Sequence, residues 1–125
     1  MPYRESAADD GFVVSVFMGR VLALDLQSGK ARWEWSNGTV DRAQLRAGAG
    51  RVFHLAGGQL TALDATSGTL LWSTTVPLDL DAKPPQLELA GDAILVSHGG
   101  ILHCYAREDG AGRWRVRSSD FQMVT

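Results

Sequence analysis

The fold is decided by a stretch that occurs twice in nearly the same letters. Residues 21–33 read VLALDLQSGKARW, and residues 60–72 read LTALDATSGTLLW. A degenerate third copy, LHCYAREDGAGRW, occupies residues 102–114, and the tryptophans that close the three copies are 39 and 42 residues apart. A period of about 40 residues indicates an array of similar supersecondary units rather than one irregular domain.

Each copy lies within the same pattern of strands. An apolar run such as residues 52–55 is followed by a turn that contains glycine and then by a second apolar run, which predicts a β-hairpin. Both runs are almost continuously apolar, so we expect both faces of these strands to be buried. A short strand precedes the hairpin, and a last strand carries the tryptophan. Four strands in about 40 residues are typical of a β-propeller blade.

Three such blades account for most of the 125 residues, which we expect to form a single all-β segment. The predicted limits are about residues 5–36 for blade 1, 43–76 for blade 2 and 86–117 for blade 3. The connection at residues 77–85 is the longest between blades and is a candidate recognition loop, although a plain surface loop would have the same composition.

The turn before each tryptophan strand has residues of defined conformational use. An aspartate at its start can accept hydrogen bonds from backbone amides two or three residues on, and a glycine can adopt the positive φ that closes it. The turn residues are Asp25, Gly29, Asp64, Gly68 and Gly110. The third copy has Ala106 in place of the aspartate, so we expect Asp109 to form that turn with Gly110.

The pattern Ala-Leu-Asp-x-x-Ser-Gly-x-x-x-Trp resembles the PQQ-like, or quinoprotein-type, β-propeller repeat. Residues 23–33 and 62–72 match it closely, and residues 104–114 depart from it at the aspartate. The resemblance covers residues 10–117 and implies that the tryptophan of each blade docks against the neighbouring blade, where a buried indole brings a large apolar surface and one N–H. The expected docking residues are Trp33, Trp72 and Trp114.

The same resemblance raises the question of a quinone cofactor, which quinoprotein dehydrogenases bind with a vicinal cysteine pair and a calcium ion. Cys104 is the only cysteine and Tyr105 follows it, so the pair is absent. His98 and His103 are two pairs apart along the predicted hairpin, too far to share a metal ion easily, and His54 stands alone. The sequence has no nucleophile elbow and no phosphate loop. We expect no catalytic residue, no cofactor and no metal.

The balance of basic and acidic residues does not favour a strongly charged partner. There are 12 basic and 14 acidic residues, so we expect no nucleic acid and no membrane as partners. Arg113, Arg115 and Arg117 alternate along the last strand of blade 3, a pattern more typical of a charged edge that prevents aggregation than of a nucleic-acid site. Without a signal-peptide segment the sequence predicts a cytoplasmic protein, or a secreted or periplasmic one if the chain is an excised fragment.

Closed propellers typically have about 4–8 blades, so three blades leave two apolar faces uncovered. We expect homodimerisation to complete a six-bladed propeller; a piece of a longer propeller and docking on another propeller-like protein are the alternatives. The inner strand of blade 1 falls at residues 5–8, where ESAA is a poor strand sequence. Residues 119–125 of a neighbouring chain are therefore predicted to supply or reinforce it, through Phe121, Met123 and Val124.

The sequence thus predicts a non-catalytic PQQ-like β-propeller module that acts in assembly and in binding of a protein or a small ligand. The alternatives are a fragment of a PQQ-dependent oxidoreductase and a sensory or ligand-binding propeller domain of a larger protein. The fold alone does not distinguish these functions, because the same propeller architecture occurs in proteins with many different functions.

Overall fold

A computed structural model describes residues 6–9, 12–17, 20–36, 43–48, 50–77 and 85–117, and for residues 6–9 and 17 it describes the backbone alone. These residues form twelve strands, and the prediction of an all-β chain is confirmed. The strands are β1 (Ser6–Asp9), β2 (Phe12–Phe17), β3 (Arg20–Asp25), β4 (Ala31–Trp35), β5 (Ala43–Gly48), β6 (Arg51–Ala56), β7 (Gln59–Asp64), β8 (Leu70–Thr75), β9 (Gln86–Ala90), β10 (Ala93–His98), β11 (Ile101–Ala106) and β12 (Gly112–Arg117). Nowhere in the described ranges is there a helix able to cross a bilayer.

The strands form three antiparallel sheets that follow one another along the chain. Sheet 1 consists of β1–β4, sheet 2 of β5–β8 and sheet 3 of β9–β12, and in each sheet consecutive strands are neighbours. The β10–β11 hairpin places His98 opposite Ile101 and Val96 opposite His103, the register expected for a two-residue turn at Gly99 and Gly100.

The first strand of sheet 1 corrects an expectation. β1 pairs with β2, with Ser6 opposite Ser15 and Asp9 opposite Phe12. The prediction that this segment is a poor strand is wrong, because pairing along the edge of β2 outweighs a low intrinsic β-propensity. The inner position of sheet 1 is therefore occupied by the chain itself. The extra strand predicted at residues 119–125, with Phe121, Met123 and Val124, lies outside the described residues.

Sheet 2 contributes one face to each of two apolar cores. The core shared with sheet 1 contains Phe12, Val14, Val16, Val21, Ala23, Leu45, Val52 and Leu63. The core shared with sheet 3 contains Phe53, Leu55, Leu60, Ala62, Leu87, Ile94, Val96 and Tyr105. Because successive side chains of a strand point to opposite faces, β6 and β7 bury both, which explains their nearly continuous apolar sequence.

Each strand that carries a repeat tryptophan contains a bulge at the same place. The ladder shifts by one residue directly after the pair that includes the tryptophan, so the residue before each tryptophan is the extra one. The pairs concerned are Ala23 with Trp33, Ala62 with Trp72 and Cys104 with Trp114. A bulge bends a strand and re-aims its side chains, so the repeated bulge gives the three tryptophans a common setting within their sheets.

Candidate functional site: the tryptophan contacts between sheets

Trp33 on β4 makes the first contact between sheets. Its indole Nε1–H donates a 2.9 Å hydrogen bond to the carbonyl oxygen of Ala65, in the turn of sheet 2. A Cβ atom added at Gly68 would lie 2.6 Å from the Trp33 ring, so only glycine permits this approach. Gly68 also has a φ of +76°, the left-handed conformation that glycine adopts without strain.

Trp72 on β8 repeats this contact between sheets 2 and 3. Its Nε1–H donates a 3.1 Å hydrogen bond to the carbonyl oxygen of Arg107, and a Cβ atom added at Gly110 would lie 2.5 Å from the ring. Arg51 strengthens the same junction, because its Nη1 donates to the carbonyl oxygens of Arg107 (2.9 Å) and Glu108 (3.0 Å). The indole, the carbonyl and the glycine thus recur as one unit.

A carboxylate holds the turn of sheet 2 in the shape that accepts Trp33. Asp64 Oδ1 accepts hydrogen bonds from the backbone N–H groups of Thr66 (2.9 Å) and Ser67 (3.0 Å), and the Gly68 N–H donates to the Asp64 carbonyl (2.8 Å). These N–H groups stabilise the ionised carboxylate, which lowers the pKa of Asp64 below its usual value. Hydrogen bonds within the turn itself therefore hold its backbone in this shape.

The turn of sheet 3 reaches the same shape without an aspartate at its start. Asp109 Oδ1 accepts a 3.0 Å hydrogen bond from the Ala111 N–H, and the Gly110 N–H donates to the Ala106 carbonyl at 2.9 Å. Gly110 has a φ of +77°, close to that of Gly68. The degenerate third copy of the repeat therefore keeps the backbone geometry that receives Trp72.

The turn of sheet 1 has the same geometry. Asp25 Oδ1 accepts from the Gln27 N–H (2.9 Å) and the Ser28 N–H (3.0 Å), which lowers the pKa of Asp25. Gly29 has a φ of +75°, but nothing lies within 4 Å of the position of its missing Cβ. Leu26, at the position of Ala65, is 60% exposed. This turn receives no tryptophan from the described residues.

Trp114 on β12 of sheet 3 is the third repeat tryptophan, and it is 48% exposed. Beside it Arg113, the extra residue of the bulge, donates two 3.0 Å hydrogen bonds to the carboxylate of Asp92. Arg115 and Arg117 lie opposite His103 and Ile101 on the neighbouring strand. Trp33 and Trp72 therefore contact a following sheet, and Trp114 lies on a face of sheet 3 that no other described sheet covers.

Gln44 on β5 makes a further contact between sheets, which sequence reasoning missed. Its Oε1 accepts a 2.8 Å hydrogen bond from the Leu87 N–H, and its Nε2 donates to the Pro85 carbonyl, so it joins the inner strands of sheets 2 and 3. Gln86 on β9 holds the corresponding ladder position and is exposed. The signal that could have revealed this contact is the 42-residue spacing of the two glutamines, equal to that of Trp72 and Trp114.

The histidines are buried, but the fold does not assemble them into a ligand set. His54 is 4% exposed and lies edge-on to the Trp35 ring, with the centroids 5.2 Å apart, and burial lowers its pKa to about 4. His98 and His103 lie two pairs apart on β10 and β11. Within the described ranges no group of three or more His, Cys, Asp or Glu side chains could hold a metal ion.

The described side chains do not fit a pyrroloquinoline quinone site. Cys104 is buried and has Tyr105 rather than a second cysteine beside it. The rings of Trp33 and Trp72 lie against glycines of the next sheet, and Asp64 binds backbone amides of its own turn.

Repeated four-stranded sheets joined by tryptophan contacts define a β-propeller of the PQQ-like class. A family model described as outer membrane protein assembly factor BamB matches residues 17–124. The chain therefore belongs to this family of PQQ-like propeller proteins, and the family predicted from the repeat is confirmed. The comparison with curated proteins finds no match.

Solved structures show the same fold. BamB from Moraxella catarrhalis has a TM-score of 0.74 and 24% identity, over 90% of this chain and 36% of that one. A quinohemoprotein alcohol dehydrogenase from Pseudomonas putida HK5 has a TM-score of 0.74 and 19% identity, over 90% of this chain and 20% of that one. A computationally designed protein has a TM-score of 0.72 and 15% identity, over 88% of this chain and 69% of that one. The chain thus spans about a third of BamB and a fifth of the dehydrogenase.

Proposed function

We propose that the chain is a non-catalytic propeller module in which each sheet is one blade, and that it acts in assembly and protein binding. The observation that carries the proposal is the state of the two outer faces. Val13 and Leu24 on sheet 1 and Leu95 and Leu102 on sheet 3 are only partly buried. Sheet 2 has a neighbour on both sides, and the residues at its corresponding positions are fully buried, each with 0% of its surface exposed: Val52, Leu63, Phe53 and Leu60.

Apolar faces of this kind favour a covering partner, because each Å² of apolar surface removed from water contributes about 25 cal/mol. A second copy of the chain would cover both faces at once and make a six-bladed ring, within the typical range of about 4–8 blades. The description of the matched family as an outer membrane protein assembly factor supports a role in protein binding. A further protein or a small ligand at the channel of the ring is compatible with this role.

The second candidate function is that of a blade segment from a PQQ-dependent oxidoreductase. The fold similarity to a quinohemoprotein alcohol dehydrogenase favours it. Against it, Trp33 and Trp72 are engaged in contacts between sheets. The turn aspartates Asp25 and Asp64 bind backbone amides of their own turns. We therefore place assembly before catalysis.

Two measurements test the proposal. Light scattering of the purified chain should give twice the 13.5 kDa mass of one copy, and a single-copy mass at every concentration would contradict the homodimer. Incubation with pyrroloquinoline quinone, calcium, an alcohol and a dye electron acceptor should give no turnover. Turnover that depends on the added quinone would instead support the oxidoreductase.

A further inference from the structure

The contacts inside the chain have two halves. The donor half is the tryptophan on the last strand of a sheet, and the acceptor half is the carbonyl and glycine in the turn of the next sheet. Sheet 2 uses both halves, through Trp72 and Gly68. Sheet 1 uses its donor half, Trp33, and sheet 3 uses its acceptor half, Gly110. Among the described residues no tryptophan reaches the acceptor half of sheet 1, which is called free below, and the donor half of sheet 3, Trp114, is exposed.

The free acceptor half is already in its binding shape. Gly29 and Gly68 have φ values of +75° and +76°, and each N–H donates a 2.8 Å hydrogen bond to the carbonyl of the aspartate that begins its turn. In sheet 2 the carbonyl directly after that aspartate accepts the indole N–H. The carbonyl of Leu26 holds the same place in sheet 1, so it is the expected acceptor for an incoming indole.

The inner strands carry a second matching pair. Gln44 bonds the backbone of Leu87, which lies opposite Val96 on the next strand. Gln86 is the corresponding glutamine on sheet 3, and Ser6 of β1, opposite Ser15, is the backbone position that corresponds to Leu87. Gln86 and the Ser6 backbone therefore lie at the positions that correspond to the two partners of the Gln44 contact.

We propose that Trp114 of one copy docks on the Gly29 turn of a second copy, with its indole N–H donating to the Leu26 carbonyl. Gln86 of the first copy then binds the backbone at Ser6 of the second. The assignment rests on the proposed assembly with a second copy and names the groups that make it. Because each chain carries one donor half and one acceptor half, two copies form two identical contacts and leave neither half free.

Two single variants remove one half each. Trp114→Ala deletes the donor. Gly29→Asn keeps a left-handed turn, which asparagine tolerates, but adds a Cβ where the equivalent atom at Gly68 would lie 2.6 Å from an indole. Gly50→Asn is the matched control, since Gly50 has a φ of +78° with nothing within 4 Å of its Cβ position. Leu71→Ala removes a large exposed side chain outside the contact.

The test is analytical ultracentrifugation at a concentration where the unaltered chain dimerises. Trp114→Ala and Gly29→Asn should each weaken the dimer about 30-fold or more, as expected for a buried aromatic anchor, and both controls should leave it intact. Circular dichroism of each variant checks that it folds. Mixing the two variants should restore a heterodimer, because the Gly29→Asn copy still offers its tryptophan to the unaltered Gly29 of the other copy.

The possible failures are distinguishable. If the unaltered chain is monomeric at every concentration, the proposed homodimer fails and this assignment fails with it. If the unaltered chain dimerises and both folded variants dimerise equally well, assembly stands but the Trp114–Gly29 contact is wrong. A mixture of folded variants that stays monomeric would overturn the head-to-tail pairing.

Discussion

Replacing Gly68 by alanine should destabilise the chain more than the same replacement at Gly50. Both glycines have left-handed φ values, +76° and +78°, so both variants lose about 1 kcal/mol for placing alanine in that conformation. At Gly68 the new Cβ also lies 2.6 Å from the Trp33 ring, whereas at Gly50 it meets nothing within 4 Å. Displacing a packed ring costs about 1–3 kcal/mol, and this is the expected difference between the variants.

Urea unfolding followed by tryptophan fluorescence, at one fixed protein concentration, measures both free energies of unfolding. The cycle is completed by repeating the two glycine substitutions in a Trp33→Ala background, where the Cβ at Gly68 has no ring to meet. The excess loss at Gly68 should then disappear. Equal losses at Gly68 and Gly50 in the unaltered background would refute the close approach of Trp33, and an excess that survives Trp33→Ala would refute its cause.

Three further predictions concern acid stability and the two kinds of contact between sheets. The pKa of buried His54 is about 4, against 6.5 in the unfolded chain. The free energy of unfolding therefore has its full value with respect to His54 above pH 6.5, and it falls by about 3 kcal/mol as the pH declines to 4. His54→Leu should flatten a thermal-stability profile over that interval, and an unchanged slope would contradict the assignment. Trp72→Phe removes the N–H that bonds the Arg107 carbonyl and should cost about 1 kcal/mol by calorimetry, whereas Trp72→Ala should cost about 3–5 kcal/mol; equal losses would show that the hydrogen bond or the packing is misjudged. Gln44→Ala should cost about 1–2 kcal/mol in urea at a concentration too low for assembly, and Gln86→Ala, which lacks those bonds within one chain, should cost much less.

The repeat made most of the fold predictable. Its period placed the hairpins, and the continuous apolar runs indicated strands buried on both faces, as β6 and β7 are. The same period located the tryptophans, because a large side chain that returns at a fixed place in each unit has a common structural use. The register of the β10–β11 hairpin followed from its two glycines alone.

The features that were missed depend on partners distant in sequence. The period placed the inner strand of blade 1 at residues 5–8, but its composition indicated a poor strand, because the stabilising partner is the edge of β2 and not the local sequence of Ser6–Asp9. In the sequence, Gln44 is an ordinary polar residue of a strand. Its role depends on the Leu87 N–H of sheet 3, which lies 2.8 Å from its side-chain oxygen. The bulge before each tryptophan is a property of the paired ladder and has no local turn signature.

The central claim is that a repeat tryptophan docks on the turn of a following sheet, and that a second copy provides this turn for Trp114. The most direct measurement is the exchange rate of the indole N–H protons by NMR, with each signal assigned by a Trp→Phe variant. Those of Trp33 and Trp72 should exchange slowly at every concentration, since both are hydrogen-bonded within the chain. That of Trp114 should exchange slowly only where the chain is assembled, and fast exchange in the assembled protein would contradict the claim.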